Sequence, residues 1–190
     1  MSVFAIAERI ASCLDEDRLD YAIGGALALT VWTLPRETAD VDLSIFAPPG
    51  ELSRVFDSLE RAGVMLDRDD AAKAQARISM FNGRAGRTQV DVFCGEHPHF
   101  DDVRRNRRRV ASPETGTPLW FISADDLAIF KLLFGRAKDV PDLEWLFAAE
   151  PSRDVAYIRG WLGKILPDGD RRFALLDDLE RRFSSKTNLP

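Results

Sequence analysis

Residues 21–46 read YAIGGALALTVWTLPRETADVDLSIF, and the punctuation of this stretch decides the fold. Tyr21-Ala22-Ile23 is a short apolar run, read as a strand. Gly24-Gly25 breaks it at once. Residues 26–32 then have helical character. Pro35, which lacks an amide donor and clashes with helical geometry, ends that helix. Val41-Asp42-Leu43-Ser44-Ile45-Phe46 alternates apolar and polar residues, the period of a strand with one buried face. Strand, glycine turn, helix, strand is the opening unit of a sheet with helices laid against it.

Working outward, Phe4, Ile6, Ala7, Ile10, Ala11 and Leu14 share one side of a helix over 3–14. Pro48-Pro49-Gly50 is a turn. A helix over 51–62 follows, with Leu52, Val55, Phe56 and Leu59 on one face, and 64–66 form a short strand. Residues 77–81 read as a strand, 82–86 as a loop and 88–93 as the next strand. The short loop makes the two strands antiparallel neighbours. A mixed sheet of four or five strands accounts for 18–115. After Pro118 the pattern turns helical. Ser123 caps a helix to about Phe134, with Asp125 and Asp126 in the first turn, where negative charge is favoured. Pro141 sits early in a helix over 140–149, Ser152 caps another, and 172–183 form the last. The expectation is an α/β (α+β) fold. A sheet part spans residues 1–117, and a helical part over 118–190 packs on it.

Bulk properties exclude several classes. Of 190 residues, 45% are hydrophobic and 30% charged, a balance that supports a core of its own. No run of eighteen apolar residues is present, so no membrane partner is expected. Met1-Ser2-Val3-Phe4-Ala5 carries no basic residue before its apolar part, which argues against a secretory signal and for the cytoplasm. The net charge of −5 is not that of a general nucleic-acid coat. Two cysteines, Cys13 and Cys94, make no disulfide framework and read as buried free thiols. A zinc site of Cys94, His97, His99 and one acid lacks the tight paired spacing of such centres.

The residues that point to chemistry are carboxylates. Asp40 and Asp42, two apart on a strand, face the same side, with Val41 and Leu43 turned to the core. Two adjacent carboxylates repel unless a cation lies between them, and a divalent ion converts that repulsion into binding. Asp91, between Val90 and Val92, repeats the pattern and needs a partner if it faces inward. Three such acids suit a two-metal site in which one ion activates a hydroxyl and the other holds a triphosphate. The same alternation also describes an edge strand with one wet face. The glycine pair reads either as a simple turn or as a phosphate-holding bend at a helix N-terminus. The chain has no GxxxxGK[ST] or GxGxxG sequence, which disfavours a P-loop and a dinucleotide site.

Taken together, these motifs resemble the nucleotidyltransferase superfamily, and within it the minimal and AbiEii-like toxin branch known from toxin–antitoxin pairs. The resemblance is carried by Ile23-Gly24-Gly25 and by Arg36-Glu37-Thr38-Ala39-Asp40-Val41-Asp42-Leu43. Asp91 stands as the third acid. A helical stretch adds to it: Asp126-Leu127-Ala128-Ile129-Phe130-Lys131-Leu132, then Arg136-Ala137-Lys138-Asp139 and Asp142-Leu143. It covers residues 20–147. The resemblance implies a nucleotidyltransferase-like mixed sheet and Mg2+ or Mn2+ held by Asp40, Asp42 and Asp91. It also implies transfer of a nucleoside monophosphate from a nucleoside triphosphate (NTP) to a hydroxyl of RNA, protein or a small molecule. Gly24, Gly25, Arg36, Thr38 and Lys131 would hold the nucleotide; Ser44, read from its place on the same strand face as Asp40 and Asp42, could touch nucleotide or metal-bound water. Arg136, Lys138, Asp139 and Asp142 would lie near the site or support it. It also implies a toxin's role beside a protein antitoxin. Some relatives are inert, so a non-catalytic nucleotide-binding or antitoxin-like regulatory protein on the same fold is the alternative.

By themselves, several of these residues read more plainly. Lys131 could reach solvent along its own stem, Thr38 could brace the loop before the strand, and Asp139 and Asp142 could form structural ion pairs. Arg104, Arg105, Arg107, Arg108 and Arg109 form either a solvated connector or an electrostatic shelf for acceptor RNA or triphosphate. Trp32, Trp120, Trp145 and Trp161 read as packing anchors, and His97 and His99 receive no catalytic role.

Overall fold

The computed structural model describes residues 2–34, 37–150 and 153–184. The chain opens with helix α1 (Val3–Glu16), capped by Ser2, whose hydroxyl accepts from the Ala5 amide at 3.1 Å. It buries Ile10 and Leu14 completely, each worth roughly 1.5–3 kcal/mol of apolar transfer. Strand β1 (Tyr21–Ile23), helix α2 (Gly25–Trp32) and strand β2 (Asp40–Ile45) follow as the sequence indicates. Helix α2 ends at Trp32, ahead of Pro35. A 3-10 turn (Pro49–Glu51) then leads into helix α3 (Leu52–Arg61), which packs on α1.

From residue 64 to 121 the structure departs from expectation. The short strand at 64–66 reduces to one bridge between Met65 and Arg84. Helix α4 (Arg68–Ile78) occupies an unassigned stretch and takes in Arg77 and Ile78, read above as strand. Asp67 caps it, accepting from the Asp70 amide at 2.9 Å, and its body is alanine-rich, but only Ala71 is buried. A helix with so thin an apolar stripe shows no periodicity to read. Ser79 closes it in a left-handed conformation, φ 54°. Strand β3 (Met80–Ala85) therefore contains residues assigned above to a loop, and the turn to β4 (Thr88–Phe93) is only Gly86-Arg87. Helix α5 (Pro98–Asn106) and strands β5 (Arg108–Ala111) and β6 (Pro118–Phe121) were also unread. Strand β6 is part of the sheet, and the helices resume only at Ala124.

The described strands form one mixed six-stranded sheet in the order β3-β4-β2-β1-β6-β5. Strands β2 and β4 run parallel, as do β1 and β6, and the remaining pairs are antiparallel. Val41, Leu43, Ile45, Val90 and Val92 are fully buried on one side of β2 and β4. Helices α6 (Ala124–Phe134), α7 (Asp139–Ala149), α8 (Val155–Ile165) and α9 (Arg171–Ser184) make the C-terminal part. Ser123 caps α6 as expected, with Gly135 left-handed at its end. Asp154 caps α8; Ser152, expected there, lies outside the described residues. Among the described residues no helix is long and apolar enough to cross a membrane.

Candidate active site

The acids meet through the register of the sheet. In the parallel β2–β4 pair, Asp42 stands opposite Asp91, Asp40 opposite Gln89 and Ser44 opposite Phe93. Partners in register share a face, so Asp40, Asp42 and Asp91 project to one side. All three line one hollow of about 660 Å³, its open mouth included, together with Gly25, Thr38, Lys131, Arg136, Lys138 and Asp142. Gln89 donates to Asp91 Oδ1 at 2.8 Å and orients it. Asp42 is the stressed member. Burial raises its pKa above the usual carboxylate value, and the charges of Asp91 and Asp40 push the same way, against Arg136 and Lys131.

The glycine turn is fastened to Asp42. The Gly24 amide donates to the Asp42 carbonyl at 2.8 Å, and the Gly24 carbonyl starts α2 by accepting from Ala28 at 3.0 Å. Gly25 has φ +56°, and a Cβ there would lie 2.5 Å from Asp42 Cγ and 2.9 Å from its Cβ. The turn thus needs glycine both for its torsion and for its approach to the acid. Helix α2 begins beside the carboxylates, its first amides free of helical partners.

Lys131 does not reach solvent along its stem. It is 5% exposed, with Nζ 2.6 Å from Asp142 Oδ2 and 3.6 Å from Asp139 Oδ1. Arg136 grips Asp139 through Nε at 2.9 Å and its amide at 2.9 Å, and its guanidinium lowers the Asp139 pKa although burial acts against it. These cations and acids form a linked network, of which Lys131, Arg136 and Asp142 line the hollow together with the sheet carboxylates. Thr38 braces the approach to β2, its hydroxyl 3.3 Å from the Asp40 amide. Ser44 is almost fully buried on the Asp40/Asp42 face. Arg36 lies outside the described residues.

The donor set suits a hard divalent cation, since Asp40, Asp42 and Asp91 offer only carboxylate oxygens and a positive ion would relieve the repulsion that raises Asp42. Among the described residues, no three His, Cys, Asp or Glu side chains are already closed into a metal cage. The acids line a common hollow without converging on one point. The zinc grouping does not form either: His99 Nε2 is 3.2 Å from Asp126 Oδ1, in a buried network that Tyr157 joins by donating to the same oxygen at 2.7 Å.

The arginine cluster is largely spoken for. Arg104 and Arg107 both pair with Asp20, and Arg105 pairs with Asp102. Arg107 also lies over Trp120, 4.5 Å from the ring centroid. Trp161 is buried and Trp32 donates to the Ile122 carbonyl at 2.9 Å, as anchors should, whereas Trp145 is exposed. One feature beside the acids went unread. Phe93, Phe130 and Phe134 wall an adjoining hollow. The signal was present for Phe93, two residues beyond Asp91 and so on the same face.

No protein-family model matches the sequence, and no curated protein matches it. Solved structures do match in shape. The solution structure of the antibiotic-resistance factor ANT(2'')-Ia is 18% identical, with a TM-score of 0.52 over 96% of this chain and 91% of that one. The crystal structure of ANT(2'')-Ia in complex with adenylyl-2''-tobramycin is 17% identical, with a TM-score of 0.52 over 94% of this chain and 97% of that one. At these identities the likeness is one of fold. The chain has the nucleotidyltransferase-like architecture: a mixed central sheet flanked by helices.

Proposed function

We propose that this protein moves a nucleoside monophosphate from an NTP to an acceptor hydroxyl, with release of pyrophosphate. One observation carries the reading: Asp40, Asp42 and Asp91 line a single hollow with a glycine turn at its edge and Lys131, Arg136 and Lys138 among its other lining residues. The three acids would hold Mg2+ or Mn2+. When bound, the ion supplies charge neutralisation on the phosphates and a lowered pKa at the attacking hydroxyl.

The chain's own residues divide the remaining work. The Gly24-Gly25 turn and the first amides of α2 bind the β- and γ-phosphates, with Thr38 among the other lining residues. Lys131 and Arg136 place positive charge where the leaving pyrophosphate develops negative charge. Lys131 must share its ammonium between Asp142 and phosphate, and three donors allow that. Asp91, held by Gln89, accepts the proton of the acceptor hydroxyl as the new P–O bond forms. The bond to pyrophosphate breaks as that bond is made.

Among acceptors, a small hydroxyl-bearing molecule is favoured by the fold shared with ANT(2'')-Ia, a protein solved with adenylyl-2''-tobramycin. An RNA acceptor on Arg104, Arg105, Arg107, Arg108 and Arg109 is weakened by the pairing of Arg104, Arg105 and Arg107 with Asp20 and Asp102. A toxin's role with a protein antitoxin rests on the motifs alone. The second reading, nucleotide binding without turnover, is favoured by the existing Lys131–Asp142 pair, which occupies the phosphate-facing cation.

The test is transfer of label from an α-32P-labelled NTP, with Mg2+, to panels of aminoglycosides, RNA and proteins. A labelled product that disappears in Asp42→Ala supports transfer. Tight NTP binding with no product on any panel favours the second reading, and product formation by Asp42→Ala contradicts the assigned chemistry.

A further inference from the structure

The two edges of the sheet are not alike. At the β3 edge, Met65 and Arg84 exchange both main-chain hydrogen bonds at 2.8 Å, so part of that strand already has an outer partner. Strand β5 ends the sheet on the other side, and Arg108, Arg109 and Ala111 are exposed there. The register fixes which of its main-chain groups are spare. Ala111 stands opposite Pro118, which has no amide to give, so theirs is a pair without hydrogen bonds. Bonded and non-bonded pairs alternate, and the next pair is bonded: the Ser112 amide donates to the Thr117 carbonyl at 2.8 Å. The N–H and C=O groups of Arg109 and Ala111 therefore point away from β6, into the open edge. Among the described residues neither finds a main-chain partner there.

A groove of about 970 Å³, its open mouth included, runs beside this edge. Arg108, Arg109 and Arg153 line it with Trp32 and Val110. Its acids are Asp125 and Glu150, and Asp125 is paired with Arg153 at 3.2 Å. Arg108 and Arg109 are otherwise placed. Arg108 donates to the main-chain oxygens of Asn106 and Arg107, and Arg109 lies over Trp120, 5.8 Å from the ring centroid. The edge thus offers spare hydrogen-bonding groups on its rim and two guanidinium charges on its side chains.

We infer that this edge takes an acidic, extended segment of a partner protein as a seventh strand. The inference is independent of the transfer chemistry. Main-chain pairing supplies the grip, and the arginines select the partner. Arg108 and Arg109, being consecutive, face opposite sides of the strand, so neighbouring acids on the incoming segment meet one each. A second copy of this chain suits the edge badly, because two β5 strands laid together bring arginines against arginines. Nucleic acid suits it badly too, since phosphates accept hydrogen bonds and cannot donate to the outward carbonyls.

The experiment is fluorescence anisotropy of the full chain with three end-blocked, fluorescein-labelled peptides: TVTEEVTV, its lysine counterpart TVTKKVTV, and TPTEEPTV, which keeps the charge and breaks the strand. TVTEEVTV should bind roughly tenfold or more tighter than either of the others. It should also slow amide hydrogen exchange at Arg109 and Ala111. Ala111→Pro removes an amide that the β5–β6 ladder does not use, at an edge position that tolerates proline, and should weaken TVTEEVTV roughly tenfold. Arg108→Glu with Arg109→Glu should reverse the preference toward TVTKKVTV. Equal binding of TVTEEVTV and TPTEEPTV would reduce the edge to charge attraction and overturn the inference. So would a parent protein that binds no peptide, or one whose Arg109 and Ala111 amides exchange at the same rate with peptide bound. A dimer in sedimentation that Ala111→Pro dissolves would make a second copy the occupant, and single-stranded RNA that binds tighter than TVTEEVTV, in the parent and Ala111→Pro alike, would make the arginines a nucleic-acid surface; either result contradicts the assignment.

Discussion

Replacing Gly25 by alanine perturbs the junction of turn and acid most selectively. Its backbone sits at φ +56°, a left-handed torsion that costs an L residue roughly 1–2 kcal/mol. The added Cβ would also overlap Asp42, at 2.5 Å from Cγ and 2.9 Å from Cβ. Turning the carboxylate away about χ1 relieves the first contact and not the second, so turn and strand must separate. Overpacking of this kind costs about 1–3 kcal/mol, giving a total near 2–5 kcal/mol. For a domain of this size that is about 4–20 °C in Tm, at 2–4 °C per kcal/mol. Gly24 supplies the control. It is extended, φ −115°, and a Cβ there would meet Ile122 Cδ1 at 3.5 Å and Asp42 Cβ at 3.8 Å, which are ordinary contacts. Gly24→Ala should cost no more than about 1 kcal/mol. Urea denaturation of both variants, with the slope checked for constancy, measures the difference. Equal stability of Gly25→Ala and Gly24→Ala would refute the argument that Asp42 and the turn are in close apposition.

Three further outcomes are expected. Because burial and the charges of Asp91 and Asp40 raise the folded-state pKa of Asp42, its ionised form opposes folding above the unfolded pKa near 3.8, and the penalty disappears as pH falls. Asp42→Asn should therefore raise the apo-protein Tm at pH 7 and lose that advantage near pH 3, and a lower Tm at pH 7 would contradict the electrostatic account. Asp142→Ala strips the nearer carboxylate from a buried ammonium and should cost about 3 kcal/mol in chemical denaturation, whereas Lys131→Met with Asp142→Leu should cost less than that single change. Cys94 is 2% exposed, and burial pushes its thiol up to about 11. At pH 8 roughly 0.1% is thiolate, so iodoacetamide followed by peptide mass analysis should leave Cys94 unmodified until denaturant is added.

The strand that bears Asp40 and Asp42 was legible because its alternation is strict and its apolar members are fully buried. Asp91 was legible for the same reason, and the β3–β4 hairpin gave its neighbour correctly while misplacing its turn. What could not be read is instructive. Helix α4 buries one alanine and is held by capping and propensity, so hydrophobic periodicity is silent there. Strands β5 and β6 are four residues each, and β5 is almost wholly exposed at the sheet edge. Arginines that pack across Trp120 look like loop when read in sequence order. Within the site, the parallel register that sets Asp42 against Asp91 is a long-range fact, invisible to local pattern. So is the Lys131–Asp142 pair, eleven residues apart and across a helix junction. The glycine turn was visible as a pair of letters, but its reason, contact with Asp42, belongs to the folded chain.

Asp40, Asp42 and Asp91, on two adjoining parallel strands, are proposed to supply the carboxylates that hold a cation beside a triphosphate. Crystals grown with Mn2+ and a non-hydrolysable NTP, measured at the manganese absorption edge, test it most directly. The expected result is an anomalous peak at roughly 2.0–2.2 Å from oxygens of Asp42 and at least one of Asp40 and Asp91, with phosphate oxygens completing the shell. A bound triphosphate with manganese placed away from all three acids would contradict it.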